Sequence, residues 1–241
     1  MNAAAVVPAA GRGERLGPGT PKALRELGGV PILVHAVRAL LSARAVSLVV
    51  VAAPPDGVAG VRTLLRDHGL RGKEVTVVAG GANRQESVRL ALEAVPADIE
   101  IILVHDAARP LVPVDLVDAV AGAVRDGAEA VVPGIRPADT LKQVRSAAPG
   151  APEPVVATPN RDTLRAVQTP QGFRREVLEE AHRAALESGG EVATDDAGLV
   201  ERLGREVVVV PGAEEAFKVT RPLDLVLAEA VLVRRRAADG F

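Results

Sequence analysis

The stretch Gly11-Arg12-Gly13-Glu14-Arg15-Leu16, followed by Thr20-Pro21-Lys22, is the first place in this chain where residue types and spacing suggest chemistry. An apolar run at 3–10 leads into it, which reads as a buried strand breaking into a loop that a ligand approaches closely. Gly11 and Gly13 allow an approach to the backbone that a side chain would block. The N–H groups of such a loop favour an anion, and Arg15 and Lys22 add two cations. Lysine is scarce, occurring only at Lys22, Lys73, Lys142 and Lys218. One retained in this loop therefore reads as a compact phosphate-binding ammonium. Taken alone, the same residues also describe a glycine-rich turn with solvated charges.

A second constellation, Gly80-Gly81-Ala82-Asn83-Arg84-Gln85-Glu86-Ser87-Val88, follows a strand-like run at 75–78. Its paired glycines and Ser87 offer hydrogen bonds to a base or a sugar, while Asn83 is equally at home as a helix cap. The third is Val104-His105-Asp106-Ala107-Ala108-Arg109-Pro110. Asp106 stands where an apolar strand ends, which is where an α/β sheet presents catalytic groups. A carboxylate there can hold Mg²⁺ on a triphosphate, and Arg109 could clamp a phosphate with its planar fork. His105, inside the strand end, is expected to be a structural hydrogen-bonding residue. Further on, Lys218 falls in a run of β-formers before a helix opened by Pro222, and a phosphate contact is expected of it. Asn160-Arg161-Asp162, Gln168-Thr169-Pro170-Gln171 and Thr194-Asp195-Asp196 are the remaining polar motifs.

The elements that must position these residues alternate regularly. Apolar strand-like runs at 46–53, 75–78, 99–104, 128–132 and 207–210 are separated by helix candidates at 31–43, 58–68, 85–95, 113–125 and 174–188. Near-continuous apolar strands predict a parallel sheet buried on both faces, and β-α alternation predicts a Rossmann-like, doubly wound α/β fold. Ligands then sit beyond the carboxyl ends of the strands. One stretch breaks the rhythm: 136–160 carries five prolines among short β-like pieces at 140–144 and 155–158. A loop that long is usually functional or disordered. A projecting β-arm that pairs with a second subunit would explain its composition, so the expectation is one domain over 1–241 with 136–160 as a dimerisation arm.

Composition narrows the function classes. Hydrophobic residues at 48% can fill a continuous core, and a formal net charge of −2 argues against general binding to nucleic acid or anionic membrane. With no cysteine there is no disulfide, thiol nucleophile or thiolate metal site, as suits a reducing cytoplasm. The four histidines include no pair at metal-ligand spacing. Residues 1–10 lack a basic n-region and are too short to span a membrane, and the near-absence of aromatic residues leaves few platforms for stacking single-stranded nucleic acid. A cytoplasmic protein without nucleic-acid or membrane partners is expected.

In their order along the chain, these motifs resemble the 2-C-methyl-D-erythritol 4-phosphate cytidylyltransferase family. The residues that carry the resemblance are Pro8-Ala9-Ala10-Gly11-x-Gly13-x-Arg15, Pro21-Lys22, Gly80-Gly81 with Arg84 and Ser87, and Val104 to Pro110. Thr169-Pro170-Gln171, Thr194-Asp195 and Lys218-Val219-Thr220-Arg221-Pro222 complete the set. The resemblance implies a nucleotidyltransferase-type fold, a homodimer, and CTP and a polyol phosphate as substrates with Mg²⁺ as cofactor. It implies that Arg15 and Lys22 stabilise charge on the α-phosphate, and that Arg161, reaching across a dimer interface, and Lys218 orient the polyol phosphate. Asp106 would serve the metal and position that phosphate, with Arg109, Thr140 and Thr194 in the same pocket. Ala9, Ala10, Gly11, Gly13, Gly81 and Ser87 would cradle the nucleotide. The chain departs from the common family pattern at Ala82 and Ala23, and its close after Arg234-Arg235-Arg236 leaves no expectation of a fused cyclodiphosphate synthase.

The reaction class agrees with this inventory. Attack of a phosphate oxygen on an α-phosphate needs positioning and charge neutralisation more than a general base. Three rival readings remain at this level: a cytidylyltransferase for another polyol phosphate such as ribitol 5-phosphate, a nucleotidyltransferase using GTP or UTP, and a non-catalytic nucleotide-binding module on the same fold.

Overall fold

Alternation along the first strand explains the layering. In β1 (Ala3–Pro8), Ala3, Ala5 and Val7 enter one apolar cluster while Ala4 and Val6 enter another, because successive residues of a strand face opposite sides. A strand apolar on both faces must be covered on both. The structure, a computed structural model, describes residues 2–11, 22–72, 74–189 and 193–238. On one face lie α1 (Ile32–Leu41), α2 (Val58–Asp67) and α4 (Val114–Arg125). On the other lie α3 (Arg84–Leu92), α5 (Arg175–Ser188) and α6 (Asp196–Arg202).

The remaining strands of the central sheet are β2 (Val46–Ala53), β3 (Val75–Ala79), β4 (Ile101–Val104), β5 (Ala130–Ile135), β8 (Ala166–Val167), β9 (Gln171–Arg174) and β10 (Val207–Pro211). Their spatial order is β8-β5-β9-β4-β1-β2-β3, with β10 also on β5. β1 runs parallel to β2 and β4, β2 to β3, and β10 to β5. The expected mostly parallel, doubly wound sheet is therefore present, and each strand and helix of the expected β-α alternation is found with ends shifted by a few residues.

The short strand β8 and the helix α6 lie outside the expected runs, and two further departures bear on the site. β9 is an unexpected strand lying antiparallel between β4 and β5. Its sequence Gln-Gly-Phe-Arg lacks the β-branched residues that mark the other strands, and fit to neighbours decides its conformation. Gly172 is part of that fit, because a Cβ there would stand 2.7 Å from Val120 Cγ1 and 3.0 Å from Val124 Cγ2. Lys218 was expected in a strand, but Phe217 to Thr220 form none. That segment is held instead by single contacts: Val219 N donates to the Ala108 carbonyl at 2.8 Å, and Asp224 accepts from Thr220 N and Arg221 N, each at 2.7 Å. It leads into α7 (Pro222–Ala238), which opens at Pro222 as expected.

The segment between β5 and β8 projects as an exposed hairpin of β6 (Gln143–Val144) and β7 (Val155–Ala157), paired antiparallel and forming a sheet of its own. Leu141, Val144, Val155 and Val156 on it are all exposed. Among the described residues no helix is long and apolar enough to cross a membrane.

Candidate active site

The carboxyl ends of β1, β3 and β4 meet at one place, and the loops leaving them form the site. Residue Ala9 follows β1, with its N–H donating to the Ala52 carbonyl at 2.8 Å. Beyond β3, the loop 80–83 turns tightly into α3. A Cβ at Gly80 would come within 2.8 Å of Ala10 Cβ and 2.9 Å of Ser87 Oγ, so only glycine lets this loop lie against the first one. Asn83 caps α3 by accepting from Glu86 N at 2.8 Å, and Glu86 reaches back to Ala82 N at 2.7 Å. The Ser87 hydroxyl donates to the Asn83 carbonyl at 2.8 Å and accepts from Gly81 N at 3.1 Å. Ser87 thus shapes the loop while lining the cavity.

Beyond β4, Asp106 is fixed through its backbone and its side chain. Its N–H donates to Thr169 Oγ1 at 3.0 Å, and Thr169 Oγ1 lies 3.1 Å from Nδ1 of the buried His105. His105 Nε2 lies 3.1 Å from the Arg109 carbonyl. A carbonyl only accepts, so Nε2 carries the hydrogen and Nδ1 accepts from the threonine hydroxyl. This arrangement requires a neutral imidazole, and burial lowers the His105 pKa to about 4.

The Asp106 carboxylate projects into a cavity of about 290 Å³ bounded by residues 9–11, 81–84 and 106–108, with Ser87 and Lys218. Lys218 Nζ lies 2.7 Å from Oδ2, and Arg84 Nε lies 3.3 Å from Oδ1. Burial opposes ionisation of Asp106, but Arg84 and then Lys218 outweigh it and hold the carboxyl well below the usual carboxylate range. Arg84 continues to a second buried carboxylate, with Nη1 2.6 Å from Asp196 Oδ2, and Asp196 Oδ1 is 3.0 Å from His182 Nε2. A wider, mostly apolar cavity adjoins the first and shares Ala9, Ala10, Gly11, Gly81 and Ala82 with it.

Several sequence expectations change here. Asp106 was offered to Mg²⁺, yet both its oxygens are engaged by cations, and no group of three or more His, Asp or Glu able to hold a metal occurs among the described residues. A carboxylate shared between an ammonium and a guanidinium does not fit a protein-held Mg²⁺, which needs oxygen ligands free to approach it. Arg109 was offered to a phosphate, but its fork is closed on protein: Nη1 donates to the Ala216 carbonyl at 2.7 Å and Nη2 to the Val167 carbonyl at 3.2 Å. Its Nε is buried without a partner among the described residues. Arg109 therefore ties the segment carrying Lys218 to the loop carrying Asp106.

The other expected residues are placed as follows. Ala9, Ala10, Gly11, Gly81, Ser87, Asp106 and Lys218 come together around the cavity. Thr140, Arg161 and Thr194 are exposed and do not line it; Arg161 Nη1 donates to the Ala138 carbonyl at 2.8 Å, at the base of the arm. Gly13, Arg15 and the side chain of Lys22 lie outside the described residues; the Lys22 backbone opens a 3-10 turn, Lys22–Leu24. Arg84 and Asp196 were present in the motifs but given no role. Their charge type was visible, whereas their meeting across 112 residues was not.

A doubly wound sheet with a carboxylate and two cations gathered at its carboxyl edge defines an α/β protein built to hold an anionic ligand in that cleft. The family model for 2-C-methyl-D-erythritol 4-phosphate cytidylyltransferase matches residues 3–234, and the chain belongs to that family. A relative of that name from Streptomyces avermitilis is 67% identical over 99% of this chain and 94% of its own length. One from Saccharopolyspora erythraea is 51% identical over 96% of this chain and 100% of its own. The solved structure of the Thermus thermophilus cytidylyltransferase superposes with a TM-score of 0.74 at 38% identity, covering 96% of this chain and 98% of that one. The 4-diphosphocytidyl-2C-methyl-D-erythritol synthase structure from Anaerococcus prevotii superposes with a TM-score of 0.82 at 27% identity, covering 97% and 96%.

Proposed function

We infer that this chain transfers CMP from CTP to 2-C-methyl-D-erythritol 4-phosphate, releasing pyrophosphate and forming 4-diphosphocytidyl-2-C-methyl-D-erythritol. The observation that carries the reading is the Lys218–Asp106–Arg84 cluster at the carboxyl edge of a fold matched by the family model over nearly its whole length. An oxygen of the substrate's phosphate attacks the α-phosphorus of CTP, and the bond from that phosphorus to the bridging oxygen breaks as pyrophosphate leaves. Both reactants are anions, so neutralising charge and aligning the two phosphates are the main tasks.

In this reading Arg15 and Lys22 neutralise the charge that grows on the α-phosphate. Lys218, held by Asp106, meets the phosphate of the acceptor. Residues 9–11, 13 and 81, with Ser87, take the nucleoside and its phosphates, and the glycine-lined narrowness of the loops supports that assignment. Mg²⁺ enters with the substrate, as the counter-ion of the CTP triphosphate, because phosphate oxygens and water suit it better than the engaged Asp106. The protein acts as a homodimer in the cytoplasm. The exposed apolar hairpin supports the dimer, in which Arg161 of the partner subunit serves the acceptor phosphate and Thr140 contributes to the same pocket.

The test is pyrophosphate release from CTP with 2-C-methyl-D-erythritol 4-phosphate, compared with ribitol 5-phosphate as acceptor and with GTP and UTP as donors. Turnover is expected with the methylerythritol phosphate and CTP together. Faster turnover with ribitol 5-phosphate, or with another nucleotide, would refute the assignment.

A further inference from the structure

The buried end of the charge chain is not explained by folding needs alone. Asp196 is the first residue of α6 and is 1% exposed. The helix cap is made by its neighbour: Asp195 accepts from Gly198 N at 3.0 Å, and its other oxygen accepts from Gln171 Nε2 at 2.7 Å. Asp196 takes no part in that cap. Its two oxygens are spent on Arg84 of α3, at 2.6 Å, and His182 of α5, at 3.0 Å. His182 is itself 3% exposed. A carboxylate only accepts, so Nε2 of His182 carries the hydrogen and donates it. Burying a carboxylate in this way is costly, and apolar residues of similar volume often stabilise a fold as well or better.

What the arrangement supplies is orientation. Arg84 has a long, flexible side chain and starts its helix at the rim of the cavity. Left to itself its guanidinium could swing, and the Asp106 carboxylate would lose the partner that sets Oδ1 and with it the orientation of Oδ2 towards Lys218. Asp196 grips Nη1, leaving Nε pointed at Asp106 Oδ1, and His182 fixes Asp196 from a third helix. We propose that Asp196 and His182 are positioning residues of the transfer reaction: they lock Arg84 so that it holds Asp106, and through Asp106 the Lys218 ammonium, against the acceptor phosphate. The inference rests on the functional reading above and assigns the second layer of that site. Neither residue lines the cavity that holds Asp106 and Lys218.

The test is a kinetic double-mutant cycle on the full-length chain, with equilibrium unfolding of every variant. Asp196→Asn, His182→Gln and Arg84→Gln are assayed singly, and each of the first two is combined with Arg84→Gln. Small misplacements of reacting groups can cost about 10²-fold, so Asp196→Asn is expected to lower kcat roughly 10- to 100-fold and to raise KM for the polyol phosphate. KM for CTP should stay within about twofold. Added to Arg84→Gln, the same change should alter kcat by less than about twofold, because its effect passes through Arg84. A purely structural role would move the unfolding midpoint while leaving kcat of the folded fraction unchanged, or would cost the same factor in both backgrounds; either result overturns the proposal. If Asp196→Asn does not fold at the assay temperature, the His182→Gln cycle carries the same expectation and the same refutation. A parent inactive with CTP and the polyol phosphate overturns the functional reading and this inference with it. An active parent with unaffected variants overturns the inference alone.

Discussion

Replacing Asp106 by asparagine separates two roles that a carboxylate at a strand end can play. The substitution keeps the shape and removes the charge, so Lys218 and Arg84 would face a neutral amide where they now meet a carboxylate at 2.7 and 3.3 Å. Breaking a buried ion pair by removing one partner costs about 3–5 kcal/mol. Here the side chains of Lys218 and Arg84 are 38% and 27% exposed and can rehydrate in part. The loss of stability should therefore fall near or below the lower bound, about 2–3 kcal/mol. It would be read as a lower urea midpoint at unchanged slope. Turnover should fall by roughly 10- to 100-fold, because the Lys218 ammonium loses the anchor that places it. The dependence of rate on Mg²⁺ at fixed CTP should overlay that of the parent, since neither Asp106 oxygen is free for a metal. A midpoint displaced to tenfold higher Mg²⁺ would make Asp106 a ligand after all. Unchanged stability and turnover would instead show that the cluster is incidental.

Three further outcomes can be measured. The folded-state pKa of His105, lowered to about 4 by burial, lies below its ordinary value of 6.5. The unfolded chain therefore binds the proton first, and stability falls as pH drops from about 6.5 to 4, by about 3 kcal/mol; urea midpoints of the parent and of His105→Gln across that window test it, and a variant as pH-sensitive as the parent would refute it. Gly172→Ala would place a methyl group 2.7 Å from Val120 Cγ1 and should cost about 1–3 kcal/mol by overpacking, so a variant as stable as the parent would show that the α4 side chains yield freely. In the proposed homodimer, mixing Arg161→Ala with Lys22→Ala subunits should recover about one quarter of the parent activity, since half the dimers would be mixed and each would carry one intact site; no recovery despite verified subunit exchange would place Arg161 in its own subunit's site or in none.

The layers of this protein and the neighbourhood of its site are legible in the chain's own residue pattern. Both follow from local physics: β1, β4 and β2 beyond Ser47 are apolar at successive positions and must be covered on two faces, and glycines and Asp106 stand where strands end. The projecting hairpin was legible for the same reason, since five prolines and short β-like pieces break an otherwise regular alternation. Contacts between distant segments supply what periodicity does not encode. β9 takes its conformation from the slot between β4 and β5, not from its own residues. Arg109 reads in sequence as a phosphate clamp, yet the carbonyls of Ala216 and Val167, far along the chain, occupy its fork. Asp106 reads as a metal ligand until Arg84 and Lys218 arrive from either side of it in the chain. The link from Arg84 to Asp196 and His182 has no signature at any fixed spacing, because three separate helices bring those residues together. A side chain's chemical type is written locally, but whether its charge is free for a ligand depends on which distant groups the fold has already set against it.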